Sequence, residues 1–295
     1  MGSFPARLAP SQVRETRAVR RLPWHLEHVG LDALAGRGLQ GKGILVAVID
    51  TGIDVTMPTF DRVRGQITAV DRHGDENGDD HDGHGTAMAA LLVGDGIAVC
   101  PDARVLGIRA FSGTGGSTAA WLADGIAIAV KARAHVISIS GGQPDSDAAL
   151  AAAVAAASDA GAVVVAAADN SRPYAPLYPA CIPPVIAVTA SDARDRLVNS
   201  APPGWIDVAA PGVDVDTVTW DQAAKRSGTS EATVIVAGVC ALLLGAVGVA
   251  QRRKLAPHLL AILQSTATPA TNGTGPGDCG VIHPARALAA LGPWQ

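Results

Sequence analysis

Aromatic residues are scarce in this chain of 295 residues: five Trp, three Phe and two Tyr make up 3% of it, although 48% is hydrophobic. The core must therefore be filled by Ala, Val, Ile and Leu. Small apolar residues favour helices lying close on a parallel sheet, whose strands read as continuous apolar runs. Basic charge is also short. With 23 Lys and Arg against 27 Asp and Glu, the formal net charge is −4, and the cationic face that nucleic acid requires is missing. The four cysteines, Cys100, Cys181, Cys240 and Cys279, have no close metal-type spacing. Cys240 lies inside an apolar run, so buried thiols are expected here in preference to two disulfides. No apolar stretch follows Arg7, Arg14, Arg17, Arg20 and Arg21, so the chain as it stands shows no secretory signal. That predicts a cytoplasmic location, or a secreted one if a signal or propeptide has been trimmed.

No Ser- or Pro-rich linker, charge block or internal repeat divides the chain, which favours one domain. The run Ala232 to Ala250 carries no charge and is followed by Arg252, Arg253 and Lys254. By length it qualifies as a membrane span. Its glycines, Gly238, Gly245 and Gly248, suit a helix lying against neighbours, and a buried helix is the expectation. Apolar runs predict strands over Ile44–Ile49, Arg104–Arg109, Val136–Ile139, Val163–Ala167, Val185–Thr189 and Ile206–Ala209. Helical spacing predicts helices from His84, over Thr118–Lys131 and over Ala148–Ala160. Alternating strands and helices imply an α/β fold, a mostly parallel central sheet with helices on both faces. Active turns then belong at the carboxyl ends of the strands.

Three Gly-punctuated turns carry the chemistry. Asp50 closes Val46-Ala47-Val48-Ile49 before Thr51-Gly52, His84 sits in Asp82-Gly83-His84-Gly85-Thr86, and Ser230 sits in Ser227-Gly228-Thr229-Ser230-Glu231. A carboxylate, an imidazole and a hydroxyl in the order Asp, His, Ser make the inventory of a nucleophilic triad. Alone, each has a plainer use as a strand-end turn, a loop histidine or a helix cap. Together, from about Gly41 to about Leu291, they resemble the subtilisin-like serine proteases (subtilases).

That resemblance implies a three-layer subtilisin-like domain over residues 41–295, with residues 1–40 as an N-terminal extension packed on it. It implies a serine endopeptidase acting through an acyl-enzyme on peptide or protein substrates, with no cofactor needed for the chemistry and no membrane span. A dedicated peptide-maturation role, removing a leader or closing a macrocycle, suits the short segment ahead of the domain. The rival from another class is a catalytically weak peptide-binding or scaffold module. In the implied mechanism Ser230 is the nucleophile, His84 the base and Asp50 its orienting carboxylate. Asn170, just beyond the Val163–Ala167 strand, matches the family's oxyanion-stabilising Asn. Substrate would lie as an extended strand between Gly115-Gly116-Ser117 and Ser140-Gly141-Gly142. Ala167, Ala168, Asp169 and Leu177 would line the primary pocket.

Some positions depart from the family. Glu231 stands where Met usually follows the nucleophile, Val234 replaces a common Pro, and Asp169 replaces the Gly before the oxyanion Asn. A carboxylate at Glu231 suits the first turn of a helix, but would repel an oxyanion if it pointed inward. The acidic loop from Asp71 to Asp82 offers oxygen ligands, and Asp71, Asp75, Asp79 and Asp80 are weak candidates for a structural calcium site.

Overall fold

The computed structural model describes residues 22–75, 78–113, 116–168, 176–198, 204–219, 222–272 and 279–294. Two short helices, α1 (Trp24–His28) and α2 (Asp32–Ala35), precede β1 (Leu45–Asp50). Then follow β2 (Ile67–Asp71), α3 (His84–Val93), β3 (Arg104–Arg109), α4 (Ala119–Lys131) and β4 (Val136–Ile139). Next come α5 (Ala148–Asp159), β5 (Val163–Ala167), β6 (Ile186–Ser191) and β7 (Val208–Pro211). A hairpin of β8 (Val215–Thr219) and β9 (Gln222–Arg226) leads into α6 (Thr229–Gly245). The helices α7 (Val249–Leu255), α8 (Leu259–Thr266) and α9 (Pro284–Ala289) complete the described chain.

Strands β1 to β7 form one sheet in the order β2-β3-β1-β4-β5-β6-β7, and every pairing in it is parallel. The side chains of β1 show why it is continuously apolar. Val46 and Val48 join one core cluster, and Leu45, Ala47 and Ile49 join the other. Each face of the strand is thus covered by helices, the condition under which strand patterning loses its polar alternation. The first cluster holds α3 and α6; the second holds α4 and α5. Local caps start the outer helices: Thr118 accepts the Trp121 amide at 3.2 Å, and Asp147 accepts those of Ala149 and Leu150 at 2.8 and 2.9 Å.

The long uncharged run is divided between α6 and α7, and α6 is buried from Thr229 to Leu244 against the sheet and α3. Among the described residues no helix is long and apolar enough to cross a membrane. None of the four cysteines forms a disulfide. Cys100 and Cys240 are enclosed, and burial pushes both thiols up to about 12. Strand β2 and the β8–β9 hairpin were not legible as strands. Both are short and half exposed, so their sequences carry no continuous apolar run.

Residues 22–40 are tied to this body. Leu26, Val29, Leu31 and Leu34 enter the first core cluster, and the Trp24 Nε1 donates to the Asp214 carbonyl at 2.8 Å. His25 is 0% exposed, and the Ile97 backbone is the hydrogen-bonding group beside its ring. Burial lowers its pKa from 6.5 to about 4, with the Asp216 carboxylate opposing. The unfolded chain then binds a proton that the folded chain refuses, so stability is full above about 6.5 and falls as pH drops towards 4. Thermal melts from pH 7 to pH 4 should show a falling Tm, and His25→Leu should flatten that dependence. An unchanged slope in the variant would remove His25 as the cause.

Candidate active site

In-register pairing lines up chemistry along the carboxyl edge of the sheet. Asp71 of β2 lies beside Arg109 of β3, and Arg109 lies beside Asp50 of β1. Ile49 pairs with Ile139, which brings Ser140 next to Asp50 at the ends of β1 and β4. His84 opens α3, and its Nδ1 is 2.7 Å from the Asp50 Oδ1. The close seat of α3 on this turn depends on Gly85: a Cβ there would strike the Gly52 carbonyl and stand 3.0 Å from the Asp50 Cβ. The Gly85 amide instead donates to the Thr51 Oγ1 at 2.9 Å.

Asp80 holds the two turns together. Its Oδ1 accepts from the Thr51 hydroxyl and from the amides of Asp82 and Gly83, and its Oδ2 accepts from the amide and hydroxyl of Thr86. Burial raises its proton affinity, yet these donors outweigh burial and keep the carboxyl below its usual range. Both oxygens of Asp80 are therefore engaged by protein donors. Asp71 spends its Oδ1 on the amides of His73 and Asp75. Among the described residues no group of three or more His, Cys, Asp or Glu could hold a metal ion. The calcium set Asp71, Asp75, Asp79 and Asp80 is not brought together as a ligand cluster, because its best-placed members close the loop.

Asp50 is buried, accepts the Thr51 amide at 2.8 Å, and among the described residues has no hydrogen-bond partner at its Oδ2. A buried carboxylate of this kind gains most from a cationic neighbour. The Asp50 charge accordingly pushes the His84 pKa up to about 9, against the effect of burial. With Nδ1 committed to Asp50, Nε2 is the ring nitrogen left for another partner.

Ser230 is the second residue of α6, and its hydroxyl donates to the Ser140 carbonyl at 3.1 Å. The Ser140 hydroxyl returns a long contact to the Ser230 carbonyl at 3.5 Å. Ser230 thus meets the end of β4, next door to Asp50. No hydrogen bond joins its hydroxyl to His84 in this conformation. Glu231 is 2% exposed and forms an ion pair with Arg226, whose Nε is 3.3 Å from its Oε1. The carboxylate that the sequence left unplaced is therefore buried and compensated. Both partners act on His84, Arg226 lowering its pKa and Glu231 raising it.

The cleft walls are present in part. Gln143 and Tyr178 exchange backbone hydrogen bonds at 2.9 and 2.8 Å, which carries Leu177 to Gly142. A Cβ on Gly142 would sit 2.7 Å from the Leu177 Cγ, so this approach needs glycine. Gly141 lies against the Phe111 ring in the same way, and Gly116 is joined to Ser112 through its carbonyl and amide. Ala167 and Ala168 are buried at the end of β5. Gly115, Asp169 and Asn170 lie outside the described residues. Sequence reasoning missed Arg226, whose role shows only when the hairpin folds back on α6, and Thr51; it named Asp80 only as a weak calcium candidate and missed its hydrogen bonds to Thr51 and Thr86.

The sign of the His84 shift gives a direct check. The His84–Asp50 pair contributes fully below 6.5 and is lost as pH rises through about 9. NMR titration of the imidazole should place its midpoint near about 9. Asp50→Asn and Glu231→Gln should lower it, and Arg226→Gln should raise it. A wild-type midpoint at or below 6.5 would contradict the charge balance described.

The Subtilase family model matches residues 41–280. A thermophilic serine proteinase of Bacillus sp. (strain AK1) is 41% identical over 211 residues, 68% of this chain and 52% of that relative. Thermitase of Thermoactinomyces vulgaris is 36% identical over 243 residues, 80% of this chain and 85% of its own length. The chain thus spans about half the length of the first of these curated relatives. Among solved structures, the prenylagaramide maturation protease PagA superposes with a TM-score of 0.77 at 26% identity, covering 89% of this chain and 98% of PagA. Fervidolysin from Fervidobacterium pennivorans, a keratinolytic enzyme related to subtilisin, gives 0.77 at 26% identity, covering 92% of this chain and 46% of its own. With the family match running from ahead of Asp50 to beyond Ser230, the chain belongs to the subtilase family.

Proposed function

We propose that this chain is a serine endopeptidase using Ser230, His84 and Asp50. The observation that carries the reading is the 2.7 Å contact of the His84 Nδ1 with buried Asp50, beside a Ser230 that heads a buried helix. The Ser230 hydroxyl turns from the Ser140 carbonyl to the His84 Nε2, which takes its proton as Oγ attacks the scissile carbonyl carbon. The tetrahedral intermediate collapses with loss of the C–N bond, and His84 returns the proton to the leaving amine. Water, activated by the same imidazole, then hydrolyses the ester. The Ser230 amide, at the first turn of α6, favours the developing oxyanion, and the Asn170 side chain would supply a second donor. The chemistry draws on these side chains and asks nothing of a calcium ion.

The substrate is read as an extended peptide against Gly116 and Ser140-Gly141-Gly142, with Ala167, Ala168 and Leu177 framing an apolar pocket. Similarity to a maturation protease supports a dedicated peptide-processing role. If an amine replaces water at the acyl-enzyme, the same residues join two peptide ends.

Fluorophosphonate labelling of the purified protein should modify Ser230 and vanish in Ser230→Ala. Asn170→Ala should lower kcat by about 10²–10³, the loss known for this kind of donor in subtilisin. Because His84 must be neutral to act, kcat/KM should rise with pH to a half-maximum near about 9. A folded protein that no fluorophosphonate labels from pH 6 to pH 10 would sink the hydrolase reading.

A further inference from the structure

Beside Asp50 lies a cavity of about 180 Å³, lined by Thr51, Asp71, Arg72, Arg109, Phe111 and Trp121 among others. Its position follows from the sheet. Arg109 is the β3 neighbour of both Asp50 and Asp71, and Thr51 is the residue after Asp50. Ser112 and Gly113 line it as well, and Ser112 is hydrogen-bonded to Gly116 on the edge where the substrate strand is read to lie. A side chain leaving that strand has this cavity within its reach.

The charge in the cavity is unbalanced. Arg72 and Arg109 are both partly buried, and among the described residues neither forms an ion pair or donates a hydrogen bond. Arg72 is fixed nonetheless: its Cζ stands 4.5 Å from the centre of the Trp121 ring. A guanidinium held over a ring by this cation–π contact still carries five N–H donors with which to grip a carboxylate. Asp71 is the one carboxylate among the described lining residues. Its Oδ1 is occupied by the amides of His73 and Asp75, and against the effect of burial these donors and the neighbouring Arg109 charge hold its carboxyl below the usual range. Asp71 thus offsets part of Arg109 and none of Arg72's contact with Trp121. Asp50 and Asp80, behind Thr51, are turned to His84 and to the α3 turn. Two guanidiniums therefore face the cavity against one engaged carboxylate, with the His81 ring also among the lining residues.

Resting on the endopeptidase reading for the path of the peptide, we infer that this cavity is an acidic-residue subsite: it receives an Asp or Glu side chain of the substrate between Arg72 and Arg109. Its volume suits one side chain and its aromatic wall packs against the methylene stem. A charge-assisted, partly buried contact of this kind favours Glu over Gln by about tenfold or more.

The test separates binding from turnover. Fluorescein-labelled peptides, each with Glu, Gln or Lys scanned through every position around a cleaved bond, are titrated into Ser230→Ala by anisotropy. The same unlabelled peptides are hydrolysed by the wild type. Expected is one position at which Glu binds and cleaves at least tenfold better than Gln, with Lys worst. The preference should shrink between about 0.1 M and 1 M salt, where the screening length falls from about 10 Å to about 3 Å. Arg72→Gln with Arg109→Gln should bring the Glu/Gln ratio to about one, while Arg72→Lys with Arg109→Lys should retain part of it. No preference for Glu at any position, or one that survives in the double Gln variant, overturns the subsite. If the wild type is not labelled by fluorophosphonate, the hydrolase reading fails, yet the Glu/Gln binding ratio in Ser230→Ala still decides the subsite.

Discussion

Parallel, in-register pairing at the carboxyl edge of the sheet is the constraint on which the site depends. It sets Asp71, Arg109 and Asp50 side by side on three successive strands, with Ser140 just past the end of the fourth. A slip of one residue in β1 would carry Asp50 to the other face, away from α3 and His84. Register is secured because both faces of β1 are buried, so a slip would exchange the two core layers at once. The charged residues at the strand ends are thus positioned by apolar residues several positions earlier.

The second layer of control is a set of hydrogen bonds that never touches a substrate. Thr51 bridges Asp80 and the Gly85 amide, and Asp80 gathers the loop ahead of α3. These contacts tie the turn of the carboxylate to the helix of the imidazole, so the 2.7 Å approach of the two follows from the backbone. Electrostatics then follow geometry. Asp50 has His84 as its cation, while Glu231 has Arg226, and the two pairs sit close enough to influence one another. A buried acid next to Ser230 is tolerable because its counter-charge arrives from the β8–β9 hairpin. Were that hairpin displaced, Glu231 would stand as a buried, unpaired charge.

Much was legible in the sequence. The three Gly-rich turns, the apolar strands and the buried character of the long uncharged run could be read from residue types alone. Each is a local pattern: a strand end, a helix start, a period. What escaped notice was made of unremarkable residues. Asp80 looked like one more acid in an acidic loop and a weak calcium ligand, but its oxygens are taken by amides and hydroxyls that only folding delivers. Strand β2 was missed because an edge strand with one open side needs no continuous apolar run.

The sequence by itself determined the α/β class and the family, and singled out Asp50, His84 and Ser230 as candidates, since these rest on local spacing and on burial periods. Tertiary structure alone decided what each charge faces. Glu231 meets Arg226, Asp80 meets Thr51 and Thr86, and Arg72 meets Trp121 through pairings between separate elements. The physical reason is range. Backbone pattern is set by neighbours a few residues away, whereas a charge takes its partner from whichever chain the packed sheet brings within a few ångströms.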